Sequence, residues 1–457
     1  MHHAMRIEED NLGQITLPST CLWGIHTQRA IDNFPISGIK LNLFPEFIRS
    51  LAWVKTAAAR ANRSLGVLSG EKARVIEEVC ADIVAGRYHD AFRVDMIQGG
   101  AGTSTNMNAN EVIANLGLMR MGHAPGEYDY LHPNDDVNRS QSTNDVYPTA
   151  MRLAIVSQCD DFRAAQLRLV EAFKERAEAF AHIRKIGRTQ LQDAVPMTLG
   201  QEFAGFAATI LEDVEIIGRL SHLLLEVNLG GTAIGTRVNT PEGYAEAAVR
   251  ELAIVSGLDA KLATDLIEAS SDTGAYVTFS GVLKRISVKL SKICNDLRLL
   301  SSGPRSGFME IRLPAVQAGS SIMPGKVNPV IPEVVNQVAF QVIGNDLTVT
   351  MAAEAGQLQL NAFEPVIVLN VLQSMRILMH AMDTLAERCV KGIEANVAEC
   401  EGALENSLVL ATMLVPHIGY SKAAKVAKTA LAEGAQVIET AVKLGYGTAE
   451  EIEAMIR

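Results

Sequence analysis

Aromatic side chains are scarce in this sequence of 457 residues, and their scarcity favours helices. Phe, Trp and Tyr make up 5% of the chain, whereas hydrophobic residues of all kinds make up 48%. Strands are enriched in aromatic and β-branched residues, whereas helices are enriched in residues such as Ala, Leu and Met. The composition therefore favours helices over a β-sandwich.

The short motifs that mark most metal and cofactor sites are also missing. No HExxH, paired-cysteine or EF-hand spacing occurs, no GxSxG elbow supports a serine hydrolase, and no GxGxxG supports a nicotinamide enzyme. The six cysteines are dispersed and form no CxxC pair, which predicts reduced, packed thiols in a cytoplasmic protein. We therefore expect no metal site and no required cofactor, and activation by a divalent cation such as Mg²⁺ stays open.

Positive charge is in short supply as well, since the formal net charge is -11 at pH 7. Without a basic stripe, the chain cannot neutralise the phosphates of a nucleic acid or bind an anionic membrane surface. We expect no membrane-spanning segment, because no apolar run reaches the length that a membrane span needs. We therefore expect neither nucleic acid nor membrane as a partner, and any small anion must be met by a local cluster of donors and cations.

Three regions of the sequence differ in pattern and are predicted as domains. Residues 1–140 are irregular but mostly helical, residues 141–395 form a bundle of long helices, and residues 396–457 form a small helical domain. Apolar residues from Leu283 to Leu300 recur in steps of three and four, as in helices packed at shallow angles. We expect such long helices to leave apolar faces exposed and the chain to oligomerise. The clearest helical patterns cover about 47–64, 201–228, 283–300, 333–355 and 364–395.

The stretch GSSIMPGKVNP at residues 319–329 crowds a lysine, two serines and an amide into a proline-stiffened loop. It is not a P-loop, because five residues separate Gly319 from Gly325 and because Lys326 is followed by Val327, which cannot ligate a magnesium ion. The cation, the hydroxyls and the amide still suit a small anion.

Three further polar loops carry hydroxyl and amide groups. They are GTSTNMN, which contains Thr103 and Asn106, SQSTND, which contains Ser142, Thr143 and Asn144, and GRTQLQDAVP, which contains Thr189 and Gln190. Each loop alone is more typical of a helix cap or a turn than of a binding site. Together they supply the donors that can hold a carboxylate, and then an oxyanion, without having to titrate.

Taken with GSSIMPGKVNP, these loops resemble the characteristic blocks of the aspartase/fumarase superfamily. The resemblance extends from Arg6 to about residue 450. It implies an all-α homotetramer with a core of about twenty helices, five from each subunit. It also implies that loops of three subunits assemble each active site around a small dicarboxylate.

By this resemblance, Ser320 is the catalytic base on a mobile loop. The residues implied to bind the substrate are Thr103, Ser142, Thr143, Asn144, Thr189, Gln190, Lys326 and Asn328. The loop and its supporting positions are Gly319, Ser321, Gly325 and Glu333, of which Ser321 also fits a structural role and Glu333 a helix cap.

Within the superfamily, the chain resembles the aspartases more than the class II fumarases. Stretches such as RIEEDNLG and TMAAEAGQLQLNAFEPV are aspartase-like, and Gln190 stands where fumarases carry a His. The Gly-Lys pair of the loop and the tail HIGYSKAAKVAK are closer to fumarase. The implied reaction is the reversible elimination of ammonia from L-aspartate to give fumarate through an aci-carboxylate. Hydration of fumarate to L-malate is the alternative, and a non-catalytic protein on the same scaffold is a second one.

Two further stretches, HPND and Gly-Thr-Arg, lie outside the polar blocks described above. The HPND stretch at residues 132–135 resembles a secondary dicarboxylate site of the superfamily, and we expect it to be mainly structural here. Where the superfamily has Gly-Thr-Gly, this chain has Gly235, Thr236 and Arg237. The arginine brings a large cation and backbone strain to a loop that lies near the site in the superfamily. Three alternatives stay open: the arginine narrows the choice of substrate, adds a contact to a carboxylate, or points into solvent.

Overall fold

The structure, a computed structural model, describes residues 4–456 and is 62% helical, which confirms the all-α class. The α-helices of this part of the chain are α1 Ile25–Asn33, α2 Pro45–Ser64, α3 Gly70–Val84, α4 Thr103–Arg120, α5 Thr143–Val156, α6 Cys159–Ala179, α7 Leu199–Ser221, α8 Tyr244–Ser256, α9 Leu266–Ser271, α10 Gly274–Leu300, α11 Val330–Glu354, α12 Glu364–Arg388, α13 Val397–Glu405, α14 Leu410–Met413, α15 Val415–Ile418, α16 Tyr420–Glu433, α17 Val437–Lys443 and α18 Ala449–Ile456.

Between residues 4 and 456, four pairs of short strands accompany the helices. The strands are β1 Met5–Asp10, β2 Gly13–Pro18, β3 Arg184–Thr189, β4 Gln192–Thr198, β5 Glu226–Val227, β6 Lys261–Leu262, β7 Ile311–Arg312 and β8 Glu394–Ala395. Strands β1 and β2, β3 and β4, and β7 and β8 pair antiparallel, whereas β5 and β6 pair parallel. Short 3₁₀ helices lie at Leu41–Leu43, His89–Ala91, His222–Leu224 and Val390–Gly392, and a π-helix lies at Pro133–Val137.

Most of the long helical patterns are confirmed, but two of them were predicted too long. The helix predicted over 201–228 ends at Ser221, because the chain then forms a 3₁₀ turn and pairs as β5 with β6. The helix predicted over 364–395 ends at Arg388, and the residues after its 3₁₀ turn pair as β8 with β7. In both places the apolar pattern continues, but the backbone hydrogen bonds go to a neighbouring strand.

The chain forms two compact units, each built from three separate segments. The first unit is Met1–Arg163, Glu215–Arg285 and Phe340–Ile377, and the second is Ala164–Val214, Ile286–Ala339 and Leu378–Arg457. Every boundary between segments falls inside one of the helices α6, α7, α10, α11 and α12, which are 21 to 27 residues long. The three sequence-based domains stay a prediction.

Helix α2 lies at the centre of the first unit, where it packs against α3, α5 and α8. It begins with Pro45 in its first turn, a position at which the missing N–H group costs nothing. Apolar residues such as Phe47, Leu51 and Val54 are fully buried along it, and so is the charged residue Lys55. A lysine in such a position needs polar partners, and it has them in the candidate site.

In the second unit, the C-terminal helices support a strand of the β3–β4 hairpin. Ile186 of β3 belongs to a hydrophobic cluster with residues such as Leu404, Leu414, Val426 and Ile452. The hydroxyl of Ser407 also donates to the carboxylate of Asp193 at 2.6 Å. This packing fixes the hairpin whose turn carries two of the predicted site residues.

Among the described residues, one segment, Glu364–Gly392, is long and apolar enough to span a membrane, with a mean hydropathy of 1.3. By length and composition alone, this segment contradicts the prediction that no apolar run is long enough to span a membrane. Of its most apolar stretch, 67% is buried inside the fold, as in the core helix of a globular protein. The six cysteines are all free and buried, which confirms that they are packed in the fold.

Replacing Gly102 with alanine is expected to destabilise the first unit. Gly102 precedes α4 with φ of +89°, and a Cβ at this position would lie 2.2 Å from the buried ring of Tyr147. The clash and the left-handed backbone together predict a loss of about 2 to 4 kcal/mol in the free energy of unfolding.

Urea denaturation at a fixed protein concentration measures this loss. Gly402→Ala is the control, because Gly402 lies within α13 with open space around it and alanine favours helix. Equal effects of the two substitutions would contradict the packing argument.

Candidate active site

The start of α5 carries three of the predicted substrate-binding residues. Ser142 is the N-cap, and its hydroxyl accepts from the backbone N–H of Asn144 at 3.3 Å. The carboxylate of Asp145 accepts in return from the backbone N–H of Ser142 at 3.0 Å, which completes a capping box. Thr143 follows the cap, so its hydroxyl lies at the N-terminal end of the helix, where the helix dipole favours an anion.

Asp145 also forms hydrogen bonds that connect the start of α5 to a second loop. Its other carboxylate oxygen accepts from the backbone N–H groups of Gly230 at 3.0 Å and Thr232 at 2.9 Å. The side-chain amide of Asn144 donates to the carbonyl of Ala233 at 2.7 Å. Burial raises the pKa of Asp145 to about 6, while its backbone hydrogen bonds and the charge of Lys55 act in the opposite direction.

An open cavity of 390 Å³ lies beside these residues. It is lined by Asn138, Ser140, Gln141, Ser142, Thr143, Thr232, Ala233, Val238 and Asn239. All of these residues are polar, except Ala233 and Val238, and none carries a formal charge. Such a wall offers hydroxyl and amide groups to a ligand, as the sequence predicts for this block.

Thr103 is the first residue of α4 and is exposed. Its hydroxyl donates to the carbonyl of Gly100 at 2.8 Å. Three residues further on, the buried Asn106 donates through Nδ2 to the hydroxyl oxygen of Thr143 at 3.1 Å. The first two polar blocks are therefore in hydrogen-bond contact through Asn106, whereas Thr103 is not among the residues that line the cavity.

Thr189 and Gln190 lie at the exposed end of the β3–β4 hairpin, an element that the sequence did not predict. Gln190 and Leu191 both have positive φ, at 54° and 62°, as in the tight turns that match the twist of two strands. Behind the turn, the buried carboxylate of Glu310 contacts Lys185 and Arg188, each at 2.6 Å. This ion cluster anchors β3 at the point where the turn begins.

The 319–329 loop is held by contacts among its own residues. The backbone N–H of Gly319 donates to the carbonyl of Lys326 at 3.0 Å, and the amide of Asn328 donates to the carbonyl of Gly319 at 2.6 Å. A Cβ on Gly319 would lie 2.2 Å from the Lys326 oxygen, so only glycine fits there. Gly325 has φ of +82° and turns the exposed end of the loop.

Ser320 lies inside a tight turn of this loop. Its hydroxyl oxygen accepts from the backbone N–H groups of Ile322 at 3.2 Å and Met323 at 3.0 Å. Two aligned N–H groups stabilise negative charge on an oxygen more than they stabilise a neutral hydroxyl. Ser321 and Lys326 are exposed beside it, and Glu333 lies in the first turn of α11.

The predicted site residues divide between the two units. Thr103, Ser142, Thr143 and Asn144 belong to the first unit, and Thr189, Gln190, Ser320, Lys326 and Asn328 belong to the second. In the first unit, Ser142, Thr143 and Asn144 lie together at the start of α5. In the second unit, a hydrogen bond holds Asn328 to the loop that carries Ser320. The roles assigned to these residues stay predictions.

Comparison with known proteins covers the chain almost from end to end. A sequence profile for the family described as Lyase matches residues 13–344, and one for the Fumarase C C-terminus matches residues 410–457. Aspartate ammonia-lyase of Pseudomonas aeruginosa is 59% identical to this chain over 435 residues, which cover 95% of this chain and 92% of that protein. The chain belongs to the aspartase/fumarase superfamily.

Solved structures agree with this membership. The fumarate lyase:delta crystallin of Brucella melitensis, bound to cobalt, is 59% identical with a TM-score of 0.97, and the match covers 99% of this chain and 98% of that one. Class II fumarase of Schistosoma mansoni is 33% identical with a TM-score of 0.92 and the same coverage. The superfamily fold therefore extends over the whole described chain.

Two features that the sequence had singled out within the superfamily pattern have structural explanations. Arg237 adopts φ of +60°, so the strain expected from replacing a glycine is present, and its guanidinium pairs with Glu246 at 2.7 Å on the surface. In the HPND stretch, Nδ1 of His132 accepts from the backbone N–H groups of Asn134 and Asp135, both at 3.1 Å. The histidine thus caps the π-helix that follows it.

Sequence reasoning missed Lys55, Asp145 and Glu310, the buried charges behind the predicted residues. Asp145 had a usable signal, because Ser142 followed by an acidic residue three positions later is a capping-box pattern. Lys55 lies in an apolar helical stretch, where a lysine normally marks the solvent face, and Glu310 lies outside any motif. Their roles depend on tertiary contacts that are far apart in sequence.

Replacing Asp145 with asparagine is expected to lower the free energy of unfolding by about 2 to 4 kcal/mol, because the new NH₂ group must face at least one backbone N–H. Thermal and urea denaturation measure the effect. Asp160→Asn is the matched control, since Asp160 is 95% exposed and should change stability by less than about 0.5 kcal/mol. A loss at Asp145 as small as that at Asp160 would show that the three N–H contacts contribute little.

Proposed function

We propose that this protein is an aspartate ammonia-lyase, a carbon–nitrogen lyase that reversibly converts L-aspartate to fumarate and ammonium. The observation that carries the proposal is the position of the Ser320 hydroxyl oxygen between two backbone N–H groups. The proposal is supported by the high identity to relatives named aspartate ammonia-lyase, which include the Pseudomonas aeruginosa protein.

The chemistry requires charge stabilisation more than strong acids or bases. Removing a proton from the carbon next to a carboxylate places two negative charges on that group, as an aci-carboxylate. The bond from the neighbouring carbon to nitrogen then breaks, a carbon–carbon double bond forms, and ammonia leaves. Preorganised donors around the aci-carboxylate lower this barrier, and the loss of one such donor typically costs about 3 to 4 kcal/mol.

Ser320 acts in this proposal as the base that accepts the proton. A serine hydroxyl is a weak base unless its oxyanion is stabilised, and the N–H groups of Ile322 and Met323 point at that oxygen. The loop is exposed in the single chain. Closure of the loop over the substrate would remove water and strengthen both hydrogen bonds.

The remaining residues take roles that match their chemistry. Hydroxyl groups of Thr103, Thr143 and Thr189 hold the carboxylate that becomes the aci-carboxylate. The neighbouring polar groups are Ser142, Asn144 and Gln190. Lys326 and Asn328 bind the second carboxylate, for which the exposed lysine supplies the positive charge. Gly319 and Gly325 allow the loop to move, and no cofactor is required.

The proposal includes a homotetramer in which loops of three subunits form each site. An exposed apolar stripe on α11 supports association between copies, because Phe340, Ile343, Leu347 and Met351 recur at helical spacing and are 38 to 64% exposed. An apolar face of this kind on a long helix is typical of a buried subunit interface. We place the enzyme in the cytoplasm, which is supported by its six free, buried cysteines.

Fumarate formation tests the function directly. Purified protein is mixed with L-aspartate or with L-malate, and fumarate is followed by its ultraviolet absorbance. We expect fumarate from aspartate only, since Gln190 is a neutral amide and cannot act as the acid or base that a histidine could. Fumarate from malate only would make the protein a fumarate hydratase, the alternative favoured by the match to the Fumarase C C-terminus.

Replacing Ser320 with alanine is expected to lower kcat for L-aspartate by at least about 100-fold, because the base is removed. KM should change little, since the carboxylate-binding groups remain. Ser321→Ala is the matched control and should retain most of the activity. A Ser320→Ala protein with near-normal kcat would contradict the assignment of the base.

A further inference from the structure

Lys55 lies buried in α2 and is surrounded by amide oxygens. Its Nζ donates to Oδ1 of Asn106 at 2.8 Å, to Oδ1 of Asn138 at 2.8 Å and to Oε1 of Gln141 at 2.9 Å. The residue has no exposed surface. A buried lysine with three side-chain acceptors is a built polar site, and no step of the proposed reaction uses it directly.

The surroundings match an ammonium group. An ammonium has three N–H donors and no acceptor, and three oxygens face it here. A neutral amine would have only two donors for the same three oxygens. Burial lowers the pKa of Lys55 to about 7, and the charge of Asp145 offsets only part of that lowering.

A donor-only group fixes the orientation of the amides around it. Each carbonyl oxygen must face Lys55, so the NH₂ group of Asn106 faces away. That NH₂ group donates to the hydroxyl oxygen of Thr143 at 3.1 Å and to Oδ1 of Asn138 at 3.2 Å. A flipped Asn106 would place its NH₂ group against the ammonium, donor against donor.

The orientation of Asn106 determines what the Thr143 hydroxyl can do. Because its oxygen accepts from Asn106, its hydrogen is available to another partner. Within residues 4–456, no protein acceptor for this hydrogen is found, and Thr143 lines the open cavity. The hydrogen can therefore point at a ligand.

We propose that Lys55 is a positioning residue that sets the direction of the hydrogen-bond chain from Nζ through Asn106 to Thr143, so that the Thr143 hydroxyl donates to the substrate carboxylate. This proposal rests on the proposed function of the site. It also explains why a charge is buried where a methionine would fill a similar volume, since an apolar side chain cannot orient an amide.

The substitution Asn106→Asp tests the direction of the hydrogen-bond chain without removing the contacts of residue 106. The new carboxylate can accept from Lys55 and also from Thr143, so the Thr143 hydroxyl turns toward the protein and its donor to the substrate is lost. We expect the melting temperature to be retained, because a buried ion pair with Lys55 replaces a hydrogen bond. We expect kcat for the substrate to fall by about 100-fold or more.

Asn138→Asp is the matched comparison, because it places the same negative charge against Lys55 but does not contact Thr143. Its loss of kcat should be at least about tenfold smaller than that of Asn106→Asp. Equal losses in the two variants would show that added charge, and not the orientation of Thr143, causes the effect, and this result would overturn the proposal.

A double-mutant cycle provides a second test in case either acidic variant fails to fold. Lys55→Met should lower kcat/KM by about tenfold or more when Thr143 is present, but by less than about threefold in a Thr143→Val background, because both changes remove the same donor. If Lys55→Met lowers kcat/KM by the same factor in the two backgrounds, Lys55 only supports the fold.

The proposed reaction and the proposed role of Lys55 can be contradicted independently of each other. The wild-type rates with L-aspartate and L-malate test the reaction, whereas only ratios among variants test Lys55. Those ratios are measured with whichever substrate the wild-type protein converts, so a wrong substrate assignment does not affect them.

Discussion

Two buried charges of opposite sign, the ammonium of Lys55 and the carboxylate of Asp145, hold the polar wall of the candidate site in place. Lys55 binds three amide oxygens, and Asp145 accepts three backbone N–H groups from two loops. Each charge would be costly to bury alone, but with its hydrogen bonds complete it permits only one arrangement of its neighbours. The hydroxyls and amides that face the cavity are therefore oriented before a ligand arrives.

The same principle applies to the loop of Ser320. A chain with a net charge of -11 repels a dicarboxylate at long range, so its binding depends on local, oriented donors. Backbone N–H groups point at the Ser320 oxygen, and Lys326 supplies positive charge a few residues away. Neutral donors are suited to this task, because their hydrogen bonds strengthen as charge develops on the substrate and they do not titrate.

The sequence was sufficient to predict the helical fold and the polar blocks, but not what holds the blocks in position. The apolar periodicity of α10 and the polar composition of GSSIMPGKVNP are local signals, so one sequence carries them. The end of α7 and the β3–β4 hairpin depend on pairing with other segments, which local patterns do not encode. The role of Lys55 was missed for the same reason, because its partners lie 51 to 86 residues away.

In the homotetramer that we propose, Thr143 of one subunit and Ser320 of another complete the same site. Ser320→Ala and Thr143→Val chains carrying different affinity tags are co-expressed, and assemblies that contain both tags are purified and assayed with L-aspartate. If the site is shared, some sites receive both intact residues, and the hybrid recovers on the order of a quarter of wild-type activity. A hybrid no more active than its two parent proteins would contradict the account.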